Sequence, residues 1–185
     1  MTCVVALRAG DGRILMGADS AGVGGYAMQT RLDPKIYRVG EALIGFTTSF
    51  RMGQLLGYGL SLPDHHADVP VERFMVTAFV DAVRGCLKTG GYARKENEVE
   101  RGGTFLVAYR GRIFNIEDDY QVGESAVPYH AIGCGFDLAL GSLHATDVLE
   151  VAPEKRVLMA LEAASQFSAG VRRPFLVQTL AAAEA

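Results

Sequence analysis

The chain has 185 residues, of which 49% are hydrophobic and 21% charged, the composition of an ordinary globular domain. A formal net charge of -3 and the lack of a long Lys/Arg cluster argue against nucleic-acid binding. The apolar run Cys3–Leu7 is too short for a signal peptide, and no run of about 20 apolar residues could span a membrane. We therefore expect one domain over residues 1–185, located in the cytoplasm, with neither a nucleic-acid nor a membrane partner.

Two β-hairpins are predicted in the first fifty residues. Each consists of two short apolar segments separated by a turn that contains glycine, a residue that accepts the positive φ of tight turns. The predicted strands are Cys3–Leu7 and Arg13–Gly17 in the first hairpin, and Lys35–Val39 and Ala42–Thr47 in the second.

Two helices are predicted next, over about Ser49–Leu60 and Val71–Lys88. Apolar residues recur at helical spacing in the second, and Pro70 suits its first turn. The segment Tyr92–Gly103 is rich in charge and flanked by glycines, which predicts an exposed loop.

The second half of the chain continues the same pattern of strands and helices. The order favours an α+β fold of antiparallel sheets covered by helices over strict βαβ alternation. The predicted elements are a hairpin of Thr104–Tyr109 and Arg112–Ile116, a strand at His130–Gly133, helices at Phe136–His144 and Pro153–Phe167, and a strand at Arg173–Leu180.

Thr2 is the first candidate for chemistry, because removal of Met1 would give it a free α-amine beside its own hydroxyl. The pKa of an unperturbed α-amine, about 7.7–8.0, suits a general base near neutral pH. A threonine paired with its own amine is an established type of activated nucleophile. A chain that retains Met1 has an amide at this position and cannot use the mechanism.

Such a nucleophile also needs a nearby cation and a carboxylate that orients the cation. Asp19 ends the strand of the first hairpin, and Lys35 begins the second hairpin, 16 residues later. A charged residue that enters an apolar strand is costly when it is buried alone, so each of the two is a candidate partner for the other.

These residues give the chain a resemblance to the proteasome β-type and HslV peptidases, which are N-terminal nucleophile hydrolases. The resemblance runs from Thr2 through "GADSAG", "DPKIYRV" and "ALIGFTTSFRMGQLL" to "AIGCGFDLALGSL". It implies a four-layer αββα sandwich of two antiparallel sheets flanked by helices. It also implies Thr2 as nucleophile, Lys35 as the adjacent cation and Asp19 as the carboxylate that holds it, with no metal and no cofactor.

The resemblance extends to further site residues. It implies that the backbone N–H of Ser49 binds the oxyanion, although the family usually has glycine there. The resemblance implies that Cys134 stands in place of a family serine that relays the proton of the terminal amine; alternatively, Cys134 is a buried structural cysteine. Ser168 matches a family serine, but Ser165 stands in place of the family's aspartate.

Substrate-binding positions are also implied, at Gly22, Val23, Asp33, Thr47 and Arg51. Asp33 and Arg51 could pair across the pocket wall, or the local alignment could be shifted. Side-chain preference is therefore not predicted.

The predicted function is that of a threonine-type peptidase acting on peptides or unfolded proteins. The resemblance implies a homo-oligomeric ring and an AAA+ unfoldase as a partner. Two alternatives stay open: a catalytically silent assembly subunit, suggested by Ser165 and Cys134, and an amidase for small substrates on the same fold.

Overall fold

The computed structural model describes residues 1–183. Thirteen strands are present in this part of the chain. Nine of them form two antiparallel sheets, one of four strands and one of five, and the other four form two separate hairpins. The strands are β1 (Cys3–Arg8), β2 (Ile14–Ala18), β3 (Ala21–Gly24), β4 (Ala27–Thr30), β5 (Ile36–Val39), β6 (Ala42–Phe46), β7 (Arg94–Glu96), β8 (Val99–Arg101), β9 (Phe105–Tyr109), β10 (Arg112–Ile116), β11 (Val122–Glu124), β12 (Tyr129–Gly133) and β13 (Leu176–Leu180).

The helices cover the outer faces of the two larger sheets. Those of the first half are α1 (Phe50–Gly59), α2 (Val71–Phe74), a π-helical segment (Met75–Phe79) and α3 (Val80–Thr89), the last three being continuous. Those of the second half are α4 (Phe136–Ala145) and α5 (Pro153–Phe167), which begins with a proline in its first turn. Among residues 1–183, no helix is both long and apolar enough to cross a bilayer.

The two larger sheets pack face to face. One has the strand order β12-β1-β2-β13, and the other has the order β11-β10-β9-β6-β5. Buried side chains from both sheets meet between them, among them Val4, Met16, Leu43 and Leu106. Since successive side chains of a strand point to opposite faces, both faces of each sheet need a covering layer.

The outer faces of the sheets are covered by different sets of helices. Leu7 and Leu15 belong to a core shared with α4 and α5, whereas Ile44 and Val107 belong to one shared with α1 and α3. The molecule is therefore a four-layer αββα sandwich, and the predicted fold class is confirmed.

The structure contains three short strand pairings that the sequence pattern did not predict. β3 pairs with β4, β7 pairs with β8 inside the predicted exposed loop, and β11 adds to the edge of β10. These strands are only three or four residues long, and apart from the buried start of β3 they are exposed or half-buried, so they show no apolar alternation. The prediction of a loop over Tyr92–Gly103 was wrong in this respect, because main-chain pairing makes a hairpin without a buried face.

Candidate active site

Asp19 lies at the centre of the candidate site, immediately after β2. Its Oδ1 accepts hydrogen bonds from the N–H of Cys3 (2.9 Å) and from Nζ of Lys35 (2.7 Å). Its Oδ2 accepts from the N–H groups of Ala21 (2.9 Å) and Arg172 (3.2 Å). A buried carboxylate is tolerated when its oxygens are satisfied in this way, so the four donors fix the position of Asp19.

Lys35 is held by this carboxylate and is almost fully buried. The side chains of Lys35 and Asp19 are 1% and 0% exposed, so their ion pair is shielded from solvent. Burial lowers the pKa of Lys35, and the negative charge of Asp19 opposes that shift. The ammonium also lies 5.7 Å from the centre of the Phe50 ring, within the range of a cation–π contact.

Thr2 directly precedes Cys3, whose N–H donates to the Asp19 carboxylate, and Thr2 is 5% exposed. Its backbone N–H donates to Sγ of Cys134 (3.3 Å), and its hydroxyl donates to the carbonyl oxygen of Met1 (2.5 Å). Met1 itself is 54% exposed. The residue that would have to be removed is therefore accessible, while both reactive groups of Thr2 are occupied.

Cys134 and Ser168 lie together on the amine side of Thr2. The Sγ of Cys134 and the Oγ of Ser168 are 3.4 Å apart, which is a hydrogen bond in either direction. Ser165, the substitute for the family's aspartate, accepts a hydrogen bond at its main-chain carbonyl from Nη1 of Arg172 (3.3 Å). Thr2, Cys134 and Ser168 are thus connected by two successive hydrogen bonds.

The turn that follows β6 carries Ser49, whose N–H donates to the carbonyl oxygen of Thr47 (2.7 Å). Thr48 between them has a φ of 66°. These two features describe a γ-turn, a strained conformation that a β-branched residue rarely adopts. The Ser49 side chain accepts from the N–H of Arg51 (3.1 Å), so Ser49 also caps helix α1.

Two separate cavities border this region; Gly22, Val23 and Thr47 line one or the other, whereas Asp33 and Arg51 line neither. Val23 lines a cavity of about 570 Å³ together with Arg31 and Phe50. Thr47 lines a different cavity, of about 350 Å³. Asp33 pairs with Arg31 through two hydrogen bonds, of 2.8 and 2.7 Å, rather than with a residue of α1.

Sequence reasoning missed three residues of this site. The N–H of Arg172 reaches Asp19 through the topology, since the two are far apart in the chain. The centre of the Phe50 ring lies 3.9 Å from Cζ of Arg31 and also faces the Lys35 ammonium. An aromatic residue at the start of a helix does not by itself indicate contacts with cations. The N–H of Thr48 makes no main-chain hydrogen bond among residues 1–183. Only its positive φ marks Thr48 as a residue of unusual conformation in this site.

No metal site accompanies these groups. Within residues 1–183, no set of three or more His, Cys, Asp or Glu side chains is arranged to hold a metal ion. The groups that the site does contain are a hydroxyl, an amide nitrogen that would become an amine if Met1 were removed, a thiol and a buried ion pair.

Solved structures with the same architecture cover almost the whole chain. BPH of Thiobacillus denitrificans in complex with epoxomicin matches with a TM-score of 0.78 and 23% identity over 97% of this chain and 99% of its own. Eukaryotic HslV from Trypanosoma brucei matches with a TM-score of 0.68 and 17% identity over 96% and 98%. This chain has the proteasome-like N-terminal nucleophile hydrolase fold.

A third match is Anbu (ancestral beta-subunit) from Yersinia bercovieri, with a TM-score of 0.65 and 16% identity over 97% of this chain and 81% of its own. No protein-family model and no curated protein matches the sequence. The predicted resemblance to the proteasome-like hydrolases is confirmed for the fold. At these identities, the likeness says nothing about which residues react.

Proposed function

We propose that the chain is an N-terminal threonine peptidase that becomes active when Met1 is removed. The observation that carries this proposal is the position of the buried ion pair. Oδ1 of Asp19 binds both Nζ of Lys35 and the N–H of Cys3, the residue next to Thr2. A buried cation that is fixed in this way can stabilise an alkoxide close to it, and in the proposed mechanism the Thr2 hydroxyl supplies that alkoxide.

Removal of Met1 would change both reactive groups of Thr2 at once. The amide nitrogen becomes an amine that can accept a proton, 3.3 Å from Sγ of Cys134 in the unprocessed chain. The hydroxyl loses its acceptor, the Met1 carbonyl oxygen. The small side chain of threonine at the second position favours this removal.

In the proposed reaction, the Thr2 oxygen attacks the substrate carbonyl carbon and the Thr2 amine takes the hydroxyl proton. Lys35 stabilises the alkoxide character of the attacking oxygen, and Asp19 holds Lys35 in place. The tetrahedral intermediate expels the leaving nitrogen, which receives the proton from the Thr2 amine. The resulting ester is then hydrolysed by water, with the amine again acting as base.

The oxyanion of the intermediate requires a backbone donor near the turn after β6. For the Ser49 N–H to serve, it must leave the Thr47 carbonyl oxygen, and substrate binding would have to open this γ-turn. Loss of one oxyanion donor typically costs about 2.7–4 kcal/mol of barrier lowering, so the geometry of this turn is important.

Epoxomicin, the compound in the BPH complex, provides the test. The protein is expressed in its native host, its intact mass is measured for loss of Met1, and it is then incubated with epoxomicin. We expect a mass increase of one epoxomicin per chain, located by peptide mapping at Thr2. Hydrolysis of internally quenched peptides should be lost in parallel.

The matched control is Thr2→Ala, which keeps a small second residue and so keeps Met1 removal. This variant should neither take up epoxomicin nor cleave peptides. Processed wild-type protein that remains unmodified and inactive in every assembly state would refute the peptidase proposal.

A second candidate function is a catalytically silent assembly subunit. The hydrogen bond from the Ser49 N–H to the carbonyl oxygen of Thr47 favours it, because that N–H is occupied where the resemblance implies an oxyanion donor. The same experiment separates the candidates, since a silent subunit assembles without labelling.

We also propose that the chain forms a homo-oligomeric ring. Large apolar side chains on α4 and α5 remain exposed, including Phe136 (41%), Leu158 (43%) and Phe167 (75%). Exposed apolar groups of this kind are typical of protein interfaces. Size-exclusion chromatography with light scattering tests this, and a monomer would instead favour the small-substrate amidase. The unfoldase partner and the cytoplasmic location stay predictions.

A further inference from the structure

The cavity of about 350 Å³ has in its wall Gly133, a residue that lies against the main chain of Thr2. This cavity is lined by Thr47 after β6, by residues at the start of β9 and the end of β10, by most of β12 and by Phe136 of α4. Gly133, at the end of β12, has a φ of 95°, and a Cβ there would collide with the carbonyl oxygen of Thr2. The glycine therefore allows the cavity wall to lie against the main chain of Thr2, the residue that carries the proposed nucleophile.

A polar cluster lies on one wall of this cavity. Nδ2 of Asn115 donates to Oε1 of Glu117 (2.5 Å), and the hydroxyl of Thr104 donates to Oε2 of Glu117 (3.4 Å). The Oδ1 of Asn115 is buried and has no hydrogen-bond donor among residues 1–183. A buried acceptor without a donor is costly, so the hydrogen bonding of this polar cluster is incomplete.

The cavity carries a negative formal charge. Glu117 is the one acidic residue in its lining, and no Lys or Arg lines it. His130 also lines it, and burial lowers the pKa of this imidazole, with the charge of Glu117 opposing the shift. His130 therefore supplies no positive charge at neutral pH. Apolar groups of Ile132 and Phe136 complete the lining and could pack on an aliphatic stem.

We propose that this cavity is a substrate subsite for a lysine or arginine side chain on the leaving-group side of the scissile bond. Glu117 binds the cationic head, and the apolar groups of Ile132 and Phe136 pack on the aliphatic stem. The inference rests on the proposed peptidase function and names the substrate class of that site.

The leaving-group side follows from the direction of proton transfer. The leaving nitrogen takes its proton from the Thr2 amine, so it has to depart on the amine side of Thr2. That side is marked by Cys134, whose Sγ is 3.3 Å from the Thr2 nitrogen and which directly follows Gly133 of the cavity wall. The other cavity, lined by Val23 and Arg31, shares no lining residue with this one.

The test uses processed protein and internally quenched peptides that differ at one position C-terminal to the scissile bond. That position carries lysine, norleucine or glutamate, and mass spectrometry confirms the cleavage site. We expect kcat/KM to be about tenfold higher for lysine than for norleucine, and lower still for glutamate, as for one charge-assisted hydrogen bond. Glu117→Gln should reduce the lysine preference to about twofold or less, and Glu117→Arg should shift the preference to glutamate.

Asp119→Asn is the matched control, because it removes the same charge from an exposed position two residues away. It should keep the lysine preference, and thermal unfolding shows whether each variant is folded. Equal cleavage of the three peptides by the wild type, a lysine preference N-terminal to the scissile bond, or a preference unchanged in Glu117→Gln would overturn the subsite.

A binding experiment separates failure of the subsite from failure of the peptidase proposal. Fluorescence anisotropy with the Thr2→Ala variant requires no hydrolysis. The lysine peptide should bind about tenfold more tightly than the norleucine peptide, and the additional change Glu117→Gln should abolish the difference. If the wild type cleaves nothing but this difference is present, the peptidase proposal fails and the subsite stands.

Discussion

The two sides of Thr2 are built on different physical principles. On one side, the Asp19–Lys35 pair is excluded from solvent, and both carboxylate oxygens accept two hydrogen bonds each. On the other side, the Cys134–Ser168 contact is a single sulfur–oxygen hydrogen bond of 3.4 Å beside an exposed thiol.

This contrast indicates which side can change without loss of the fold. Removal of one member of a buried pair leaves an uncompensated charge, whereas a weak exposed contact contributes little to stability. The substitution of cysteine for the family's serine lies at the Cys134–Ser168 contact, where a change costs little stability. We therefore expect changes at the Asp19–Lys35 pair to affect both stability and activity, and changes at the Cys134–Ser168 contact to affect activity alone.

The largest effect is expected for Lys35→Met, which keeps the aliphatic length and removes the charge. The Asp19 carboxylate then stays buried without its cation, and the free energy of unfolding should fall by about 3–5 kcal/mol. Urea denaturation followed by circular dichroism measures this, and peptide hydrolysis should be lost in the same variant.

Lys155→Met is the matched control, since Lys155 is exposed on α5 and should change the unfolding free energy by less than about 0.5 kcal/mol. The double variant Asp19→Asn/Lys35→Met should recover part of the stability, because no charge remains buried. A Lys35→Met protein as stable as the wild type would show that the pair is not the rigid side of the site.

The second prediction concerns alkaline pH and Cys3, which lies beside the pair. Burial and the charge of Asp19 raise the pKa of Cys3 from its usual 9.0 to about 12. Above pH 9 the unfolded chain loses this proton while the folded chain retains it. The Cys3 contribution to stability should therefore fall by about 1.4 kcal/mol per pH unit between pH 9 and 12.

Lys35 acts in the opposite direction, because burial lowers its pKa and stability rises as the unfolded chain approaches deprotonation at pH 10.5. Unfolding free energies of Cys3→Ala and wild type, measured at intervals from pH 8.5 to 11.5, isolate the Cys3 contribution. The variant should lose stability less steeply than the wild type over this range. Parallel curves for Cys3→Ala and wild type would contradict the prediction.

The two sides also differ in how far the sequence could predict them. The spacing of Asp19 and Lys35 at strand ends predicted a mutual partnership, and the structure places them 2.7 Å apart. The sequence could not reveal that Asp19 also binds the N–H groups of Ala21 and Arg172, since main-chain donors leave no residue signature. Those contacts depend on the fold, which brings distant segments together.

The fold itself was predictable where burial imposes a period on the sequence. The hairpins of β1–β2, β5–β6 and β9–β10 bury apolar residues and were predicted within one or two residues. The β3–β4 hairpin was not predicted, because β4 is exposed and β3 buries only Ala21 and Gly22, so burial imposes no period on this segment. The γ-turn at Thr48 was equally hidden, since the sequence Thr-Thr-Ser gives no indication of a positive φ.

A smaller effect is expected for Cys134→Ser, which restores the hydroxyl of the family's serine. A hydroxyl is a stronger hydrogen-bond donor than a thiol, so proton transfer with the Thr2 amine should be faster. We expect kcat to rise about three- to tenfold, with a change in unfolding free energy of less than about 0.5 kcal/mol. Steady-state hydrolysis measures this, with Cys86→Ser as control, and a fall in kcat would show that the thiol is adapted to this site.

The smallest effect is expected for Ser168→Ala, because the present contact to Cys134 is long and involves sulfur. In the wild-type background, kcat should fall by about two- to threefold, and stability should stay within about 0.5 kcal/mol. In the Cys134→Ser background, the same change should cost more, about fivefold, since two hydroxyls form a stronger hydrogen bond than a thiol and a hydroxyl. The double-mutant cycle of kcat measures this coupling. Equal losses in both backgrounds would mean that Ser168 acts independently of residue 134, and the exposed side of Thr2 would then not be a connected proton path.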